Sequence, residues 1–440
     1  MTLLSALLLP LFASADDITF SDSHVEAVCL EHWDSDGNGK LSKEEAAAVT
    51  SLSRYFSRDV TMTSFNELKY FTGLASISSS EFYSCKNLAS IQLPPQVTSI
   101  GDNAFRSCLK LTAIDIPKTV KTIYNSAFNG CIRLATVTLH EGLETISDMA
   151  FTSCKSLQRI DIPASVTSIS SSAFHDCKGV TAITVAEGNT VYDSREDCNA
   201  IVKSSTNTMR LGCQNSTFPA TVTVIGTSAF QGCTNLQRIN LPEGIKTISE
   251  LAFSGCTGLL SVSLPSTLTT IDVCAFSYCS ALTDVILPEG LKTIESSAFE
   301  YCLGLKSISI PSSVTTLSNN VFGECSSLVE VTVGFSTPLT IYSTTFSNRT
   351  NATLYVPAGC VQAFMDANYW KDFLYFKEAW LLGDVNHDTR INIFDVTVTI
   401  NYILGKNPES FHFREADANQ DGRLNIFDVT KIINIILGKN

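Results

Sequence analysis

Basic residues and histidines are scarce in this chain of 440 residues, which carries 30 Lys and Arg against 43 Asp and Glu. The formal net charge of −13 argues against nucleic acid or an anionic membrane as a partner. None of the 6 histidines lies in a metal-binding or nucleophile motif, so the sequence predicts no enzyme. Hydrophobic residues make up 44% and charged residues 17%, which is typical of a folded protein, and the length allows two or more domains.

Long apolar runs are absent beyond the N-terminus, so no segment is predicted to span a bilayer. The first residues, MTLLSALLLPLFASADD, have an apolar stretch from Leu3 to Phe12, and Ala13-Ser14-Ala15 then match a cleavage site for export. No Lys or Arg precedes this stretch, and a buried N-terminal segment is the alternative interpretation. We predict a signal peptide over residues 1–15 and a mature protein that is secreted or located at the cell surface.

The middle of the chain is a repeat. Phenylalanine recurs every 23 residues, and a cysteine follows each one three positions later, in a unit close to AFxxCxxLxxIxLPxxVxxI. So short a unit cannot bury its own apolar face, so the units must stack, with LxxIxL as one strand of a parallel sheet. Ten full repeats follow this period, and a degenerate one lies at Phe346. Their phenylalanines are Phe82, Phe105, Phe128, Phe151, Phe174, Phe230, Phe253, Phe276, Phe299 and Phe322.

The period and the AFxxC signature resemble the leucine-rich repeats of BspA-like bacterial surface proteins. That resemblance implies extracellular protein binding or adhesion, with a protein or glycan of a host or microbial surface as the partner. The predicted fold class is an α/β solenoid, a curved leucine-rich-repeat stack with a parallel sheet, plus small α-helical calcium-binding domains at both ends. The predicted domains are an N-terminal cap (16–71), the repeats (72–356) with a hairpin insertion at about 188–218, a C-terminal cap and linker (357–380) and a terminal module (381–440).

The chain has 15 cysteines, a number that normally suggests disulfides in an exported protein. Stacked parallel strands lie ~4.8 Å apart, however, and a disulfide needs Cβ atoms within about 3.5–4.5 Å. We therefore expect the periodic cysteines to be buried thiols that pack as small hydrophobic side chains. Cys198 and Cys213 lie outside the period, and a disulfide between them stays open.

A loop near the N-terminus, DSDGNGKLSKEE, has the spacing of an EF-hand calcium site, with Gly39 at the sharp turn. Apolar helical segments flank it, and a single hand is expected to cap the first repeat. The alternative is an Asx-rich turn that caps the following helix, which would not require the acidic residue at position twelve. The predicted ligands at positions one, three, five, seven, nine and twelve are Asp34, Asp36, Asn38, the Lys40 carbonyl, Ser42 and Glu45.

Two further loops with this spacing end the chain, in GDVNHDTRINIFDVTVTINYILG and ADANQDGRLNIFDVTKIINIILG, which lie 33 residues apart. Oxygen ligands at alternate positions suit a hard cation such as calcium. The predicted ligands of the first loop are Asp384, Asn386, Asp388, the Arg390 carbonyl, Asn392 and Asp395. Those of the second loop are Asp417, Asn419, Asp421, the Arg423 carbonyl, Asn425 and Asp428. With the N-terminal loop, this gives up to three Ca²⁺ ions.

The duplicated loop and helix, with Asp at position twelve, resemble type I dockerin modules, whose partners are cohesin modules. In that family, positions ten and eleven of each loop form the recognition pair, here Ile393-Phe394 and Ile426-Phe427. Two identical pairs would allow binding in two orientations. The alternative is that these apolar residues form the core of the module.

Two non-enzymatic functions fit these patterns. In the first, the solenoid binds a surface protein or glycan, and the dockerin-like module docks the chain to a cohesin-like partner. In the second, the solenoid is a scaffold or spacer subunit in a dockerin–cohesin complex, with a possible link to polysaccharide degradation. The inserted hairpin favours the first, since a spacer does not require an interruption.

Overall fold

The chain forms a β-solenoid of stacked parallel turns with a few helices at its two ends. The structure, a computed structural model, describes residues 16–379, 382–386, 390–419 and 422–439; the predicted signal peptide lies outside them. The predicted solenoid is confirmed. Between residues 72 and 356 the described turns contain no α-helix, so the stack is built from strands and tight turns, and helices belong to the ends.

The LxxIxL segments form the first strand ladder, in which each strand pairs in parallel with the equivalent segment of a neighbouring repeat. Ala113 lies opposite Thr136, for example, one 23-residue period away. Most of these strands end at or near a proline, which has no N–H to donate, but Thr136–Thr138 and Ala182–Val185 are not followed by one. Their bounds are Ser64–Phe65, Ser90–Ile91, Ala113–Asp115, Thr136–Thr138, Arg159–Ile162, Ala182–Val185, Arg238–Asn240, Ser261–Ser263, Asp284–Ile286, Ser307–Ile310, Glu330–Val333, Thr353–Pro357 and Tyr375–Ala379.

A second strand ladder, which the sequence did not predict, is formed by the VxxI segments. Each strand spans only two residues, too short for alternation of apolar and polar residues to reveal it. The bounds are Ser99–Ile100, Thr122–Ile123, Thr145–Ile146 and Ser168–Ile169 before the insertion, and Val224–Ile225, Thr247–Ile248, Thr270–Ile271, Thr293–Ile294 and Thr316–Leu317 after it.

Phenylalanines and cysteines of successive turns form two columns inside the solenoid, and the insertion divides each column into two parts. Neighbouring rings stack with centroids 5.1–5.6 Å apart on either side of the insertion. The cysteines are free, as expected, but they do more than fill space. Cys131 Sγ, for instance, donates to the carbonyl of Phe105 in the preceding turn at 3.1 Å, and the same bond recurs along the column.

The insertion contributes three antiparallel strands, Tyr192–Asp193, Ile201–Lys203 and Thr208–Leu211. The last of these pairs in parallel with Val224–Ile225 and so continues the second strand ladder. Cys198 and Cys213, for which a disulfide had stayed open, are both free and buried. The insertion also marks the point at which the buried core divides into two hydrophobic clusters.

Helices occupy the ends of the chain. Val25 and Cys29 of α1 are fully buried against the first turns, as is Trp370 against the last ones. Three further helices belong to the C-terminal module. The α-helices are α1 (Ser23–Trp33), α2 (Lys43–Ala48), α3 (Val361–Asp366), α4 (Ile393–Ile403), α5 (Phe413–Ala416) and α6 (Ile426–Ile436), and the 3₁₀ turns are Asn66–Tyr70, Arg195–Asp197, Arg349–Asn351 and Trp370–Asp372.

Candidate calcium loops and docking surface

The N-terminal loop brings three of its acidic residues together. Carboxylate oxygens of Asp34, Asp36 and Glu45 lie within 4.8 Å of one another. Asp34 is held in place by the loop itself, because its Oδ1 accepts the Gly37 N–H and its Oδ2 the Gly39 N–H, each at 2.9 Å. Gly39 has a φ of +80°, a conformation that side chains other than glycine rarely adopt. The donor set, with carboxylates converging from both ends of a tight turn, fits a calcium ion.

Glu45 closes this loop from its far end. Its Oε1 accepts the Ser35 N–H at 2.8 Å, and its Oε2 accepts the Ser42 N–H at 2.9 Å. Burial alone raises the pKa of Glu45, but these hydrogen bonds outweigh it and lower the pKa to about 2. Glu45 also completes a capping box with Ser42 at the start of α2. The expectation that a simple helix cap would not use Glu45 is therefore wrong, because the cap and the loop share this carboxylate.

The two C-terminal loops hold the carboxylate at position twelve in the same way. Asp395 is fully buried and accepts the Val385 N–H on Oδ1 and the Asn392 N–H on Oδ2, both at 2.8 Å. Asp428 is also fully buried and accepts the Asn425 N–H at 2.9 Å. In both loops the residue at position nine caps the following helix and the residue at position twelve completes a capping box. All three loops thus have one design, in which the last carboxylate joins the loop to its helix.

Acidic side chains are unusually buried in this C-terminal module. Asp384, at position one of the first loop, is fully buried, and Asp417, its equivalent in the second, is 9% exposed. Asp388 and Asp421, the predicted ligands at position five, lie outside the described residues. A small module that gathers four buried aspartates offers the carboxylate oxygens that calcium takes as ligands.

The residues at positions ten and eleven face outward in both copies. Ile393 and Phe394 are 63% and 66% exposed, and Ile426 and Phe427 are 62% and 70% exposed. The alternative that these residues form the core of the module is wrong. The core consists instead of residues from both halves, chiefly Val385, Val396, Ala416, Ala418, Val429 and Ile432.

Two apolar residues that the sequence analysis did not single out extend the exposed surface. Leu404 and Leu437, which directly follow α4 and α6, are 66% and 57% exposed. They are separated by the same 33 residues as the two Ile-Phe pairs, so the duplication itself was the signal that could have identified them. Each half of the module thus presents an equivalent apolar surface at both ends of its helix.

Comparisons with known proteins agree with these features. A family model for the BspA type leucine rich repeat region matches residues 56–194 and 208–329 with six copies. The chain belongs to the BspA-type leucine-rich-repeat family. A model for the dockerin type I domain matches residues 382–437. Dockerin type I domains bind calcium and imply a cohesin partner, and both modules of this BspA-type chain are binding modules rather than catalytic ones.

Solved structures show the same solenoid fold. The pneumococcal vaccine antigen PcpA is similar with a TM-score of 0.63 and 23% identity, over 70% of this chain and 78% of that chain. A leucine-rich repeat protein from Bacteroides ovatus is similar with a TM-score of 0.50 and 27% identity, over 70% of this chain and 76% of that one. No curated protein matches the BspA-type chain. Within the described residues, no helix has both the length and the apolar character needed to cross a membrane.

Proposed function

We propose that this BspA-type chain is an extracellular bacterial binding protein that is attached to its site of action by the dockerin. The solenoid contacts a protein or glycan of a host or microbial surface, and the dockerin docks to a cohesin-like module. The apolar segment before Ala13-Ser14-Ala15 supports export, and the repeat family is typical of extracellular proteins. The observation that carries the docking proposal is the exposure of two identical Ile-Phe pairs at the starts of α4 and α6.

We further propose that calcium organises both ends of the chain. In the N-terminal loop, Asp34, Asp36, Asn38 and Glu45 would hold the ion, with Ser42 and the Lys40 carbonyl. In the dockerin, the ligands of the two loops would be those predicted from their spacing. Bound calcium supplies positive charge to the converging carboxylates. The chain's own contribution is the network of N–H donors that holds each carboxylate in position before the ion arrives.

The docking proposal is tested with cohesin modules from dockerin-bearing bacteria and the full chain, with and without a chelator. We expect calcium-dependent binding. Replacing either Ile393-Phe394 or Ile426-Phe427 with Ala-Ala should leave binding largely intact, because the other pair supplies an equivalent surface. Replacing both pairs should abolish it. As a matched control, Phe413→Ala changes an exposed aromatic residue of the same module outside the two pairs. Full binding by the variant lacking both pairs would contradict the proposal.

The scaffold function is the second candidate, and the small, polar outward side chains of the repeat strands favour it. Residues such as Thr136, Thr138, Ser261 and Ser263 offer no aromatic anchor of the kind found at binding hot spots. Under this hypothesis the dockerin alone would bind a partner. A solenoid that binds a defined ligand in the absence of any cohesin would exclude it.

A further inference from the structure

A groove of about 740 Å³ lies where the N-terminal cap meets the first turns of the solenoid. The 3₁₀ turn Asn66–Tyr70 lines one part of it, and strands of the first ladder with the segments that follow them line the rest. Its floor is mainly apolar and includes Ile91, Leu93 and Pro117. This volume is within the range of about 300–1,000 Å³ that is usual for ligand sites. The groove is therefore large enough to accept a few residues of a partner chain.

The groove is lined by more lysines than carboxylates although the protein as a whole is acidic. Lys69 and Lys118 both line it, and neither forms an ion pair within the part of the chain that the structure describes. One carboxylate lines the groove, that of Asp115, and it is hydrogen-bonded to His140 Nε2 at 2.6 Å. In a chain with a formal charge of −13, two lysines that have no ionic partner within the described residues favour an anionic ligand.

The surroundings of Tyr70 distinguish between a peptide and a sugar. Its ring is the aromatic group of the groove, but the Lys43 and Lys69 ammonium groups lie over it at 5.3 and 5.1 Å from the centroid. A ring that already contacts two cations is poorly placed to stack on a sugar. The apolar floor, in contrast, suits aliphatic side chains, and the exposed amide of Gln92 is able to pair with a peptide backbone.

We propose that this groove binds an extended acidic peptide segment of a partner protein. Its aliphatic side chains contact Ile91, Leu93 and Pro117, and its carboxylates pair with Lys69 and Lys118. The inference rests on the proposed function in one respect, namely that the solenoid is a binding surface. It adds the location of the site, at the cap end of the repeats, and the chemistry of the ligand.

The test uses the full chain with calcium and a short, fluorescently labelled peptide of alternating glutamate and leucine. We expect saturable binding that weakens as salt is added, because the contacts are partly ionic. The double substitution Lys69→Gln/Lys118→Gln should weaken binding by about fivefold or more, as expected for the loss of two exposed ion pairs. The matched control, Lys246→Gln/Lys292→Gln, removes two exposed lysines outside the groove and should leave the affinity unchanged.

Four results would overturn the proposal. The first two are equal affinity in the groove variant and its control, and equal binding of a lysine–leucine peptide. The others are binding of an oligogalacturonate in place of the glutamate–leucine peptide, and absence of binding by every probe. Cohesin docking is measured on the same preparations. If the Lys69→Gln/Lys118→Gln variant still binds cohesin, the variant is folded. A loss of peptide binding in that variant then concerns the groove and not the docking proposal.

Discussion

The cysteine of each repeat acts as a hydrogen-bond donor as well as a core residue. Burial raises the pKa of Cys279 to about 12, so at neutral pH the thiol keeps the proton that it donates to the Phe253 carbonyl at 3.2 Å. The same carbonyl accepts the Cys256 N–H at 3.2 Å, so the thiol supplies the second of its two hydrogen bonds inside the stack. Valine or alanine would fill the space in part but could not donate, which gives a physical reason for cysteine at this position.

Replacement of one cysteine of the column should therefore destabilise the solenoid by more than the size of the side chain suggests. We expect Cys279→Ala to lower the free energy of unfolding of the solenoid by ~2 kcal/mol, from a small cavity and the loss of one of the two hydrogen bonds that the Phe253 carbonyl accepts. The control is Cys274→Ala in the same repeat, at a partly exposed cysteine outside the cysteine column. Chemical denaturation followed by circular dichroism measures both. Equal losses in the two variants would show that the hydrogen bond contributes nothing.

Asp22 links α1 to the first turn of the solenoid. Its Oδ1 caps the helix at His24 and Val25, and its Oδ2 accepts the N–H and hydroxyl of Thr63, each at 2.7 Å. Burial raises the pKa of Asp22, but these hydrogen bonds outweigh it and lower the pKa from 3.8 to about 2. Its contribution to stability is therefore complete above pH 3.8 and is lost as the pH falls through about 2.

This linkage predicts that the N-terminal cap loosens in acid and on substitution. Hydrogen exchange in Ser23–Trp33 should accelerate as the pH falls from 3.8 towards 2, beyond the intrinsic pH effect seen in an unstructured reference peptide. At neutral pH, Asp22→Asn should destabilise the cap by about 1–2 kcal/mol, since the charged cap is lost. Asp16→Asn changes an exposed carboxylate of the same segment and should have no such effect. Identical exchange in both variants would contradict the prediction.

At the scale of single residues, the sequence predicted which residues lie in the core better than it predicted their hydrogen-bond partners. A 23-residue recurrence of Phe and Cys is visible in one dimension, and it placed both columns in the core. The acceptor of each thiol was not predictable, because it is a backbone carbonyl of the preceding turn and depends on how the turns stack. Glu45 was predicted as a ligand from its spacing, but its second role in the helix cap appears only when α2 is seen to begin beside it.

The insertion is an element that joins two cores. Successive side chains of a strand point to opposite sides. Accordingly, Ile201 packs in the N-terminal cluster, while Ala200 and Val202 pack in the C-terminal one. The three strands thus form a wedge between the two halves of the phenylalanine column. Periodicity predicted where the repeats stop, but it carries no information about which core each face of an irregular element will contact.

Gly212 permits the close approach of this wedge to the next repeat. A Cβ at this position would lie 2.2 Å from the Phe230 ring, which is too close without movement of the core. We expect Gly212→Ala to reduce the free energy of unfolding by about 1–3 kcal/mol through overpacking. In the control, Gly323→Ala, the new Cβ would lie no closer than 3.2 Å to other atoms and a small effect is expected. Thermal unfolding of both variants measures the difference. An unchanged melting temperature in Gly212→Ala would mean that the insertion packs loosely against Phe230.

The paired loops of the dockerin show a second limit of sequence analysis at the scale of elements. The ligand spacing located all three loops, because oxygen ligands at alternate positions are a local pattern. The orientation of the Ile-Phe pairs was not decidable, since two large apolar residues in a short module suggest a core. They are the first two residues of α4 and α6, and the buried face of each helix begins only at the following aspartate and valine.

For the whole molecule, stability has two different sources. The solenoid from Phe82 to Phe346 is held by repeated stacking, strand pairing and thiol bonds, and none of these contacts involves a calcium loop. The dockerin has a small core of its own, whose buried residues belong to neither solenoid cluster. Small cores depend on additional sources of stability such as metal ions. Calcium should therefore matter at the ends of the chain and little in the middle.

Removal of calcium should separate these parts in a calorimetric scan of the full chain. A chelator is expected to lower the transition of the dockerin sharply, since an ion at a hundredfold its Kd contributes about 2.7 kcal/mol per site, whereas the main solenoid transition should hardly move.

Glu45→Gln also weakens the cap of α2, so the informative readout is the calcium dependence and not the melting temperature itself. This variant should abolish calcium-dependent protection from hydrogen exchange in α1 and α2 and leave it intact in α4 and α6. The double substitution Asp395→Asn/Asp428→Asn should abolish this calcium-dependent protection in α4 and α6 and leave it intact in α1 and α2. Calcium-independent unfolding of the native dockerin would contradict the ligand assignment, and a large shift of the solenoid transition would contradict the separation of the two sources.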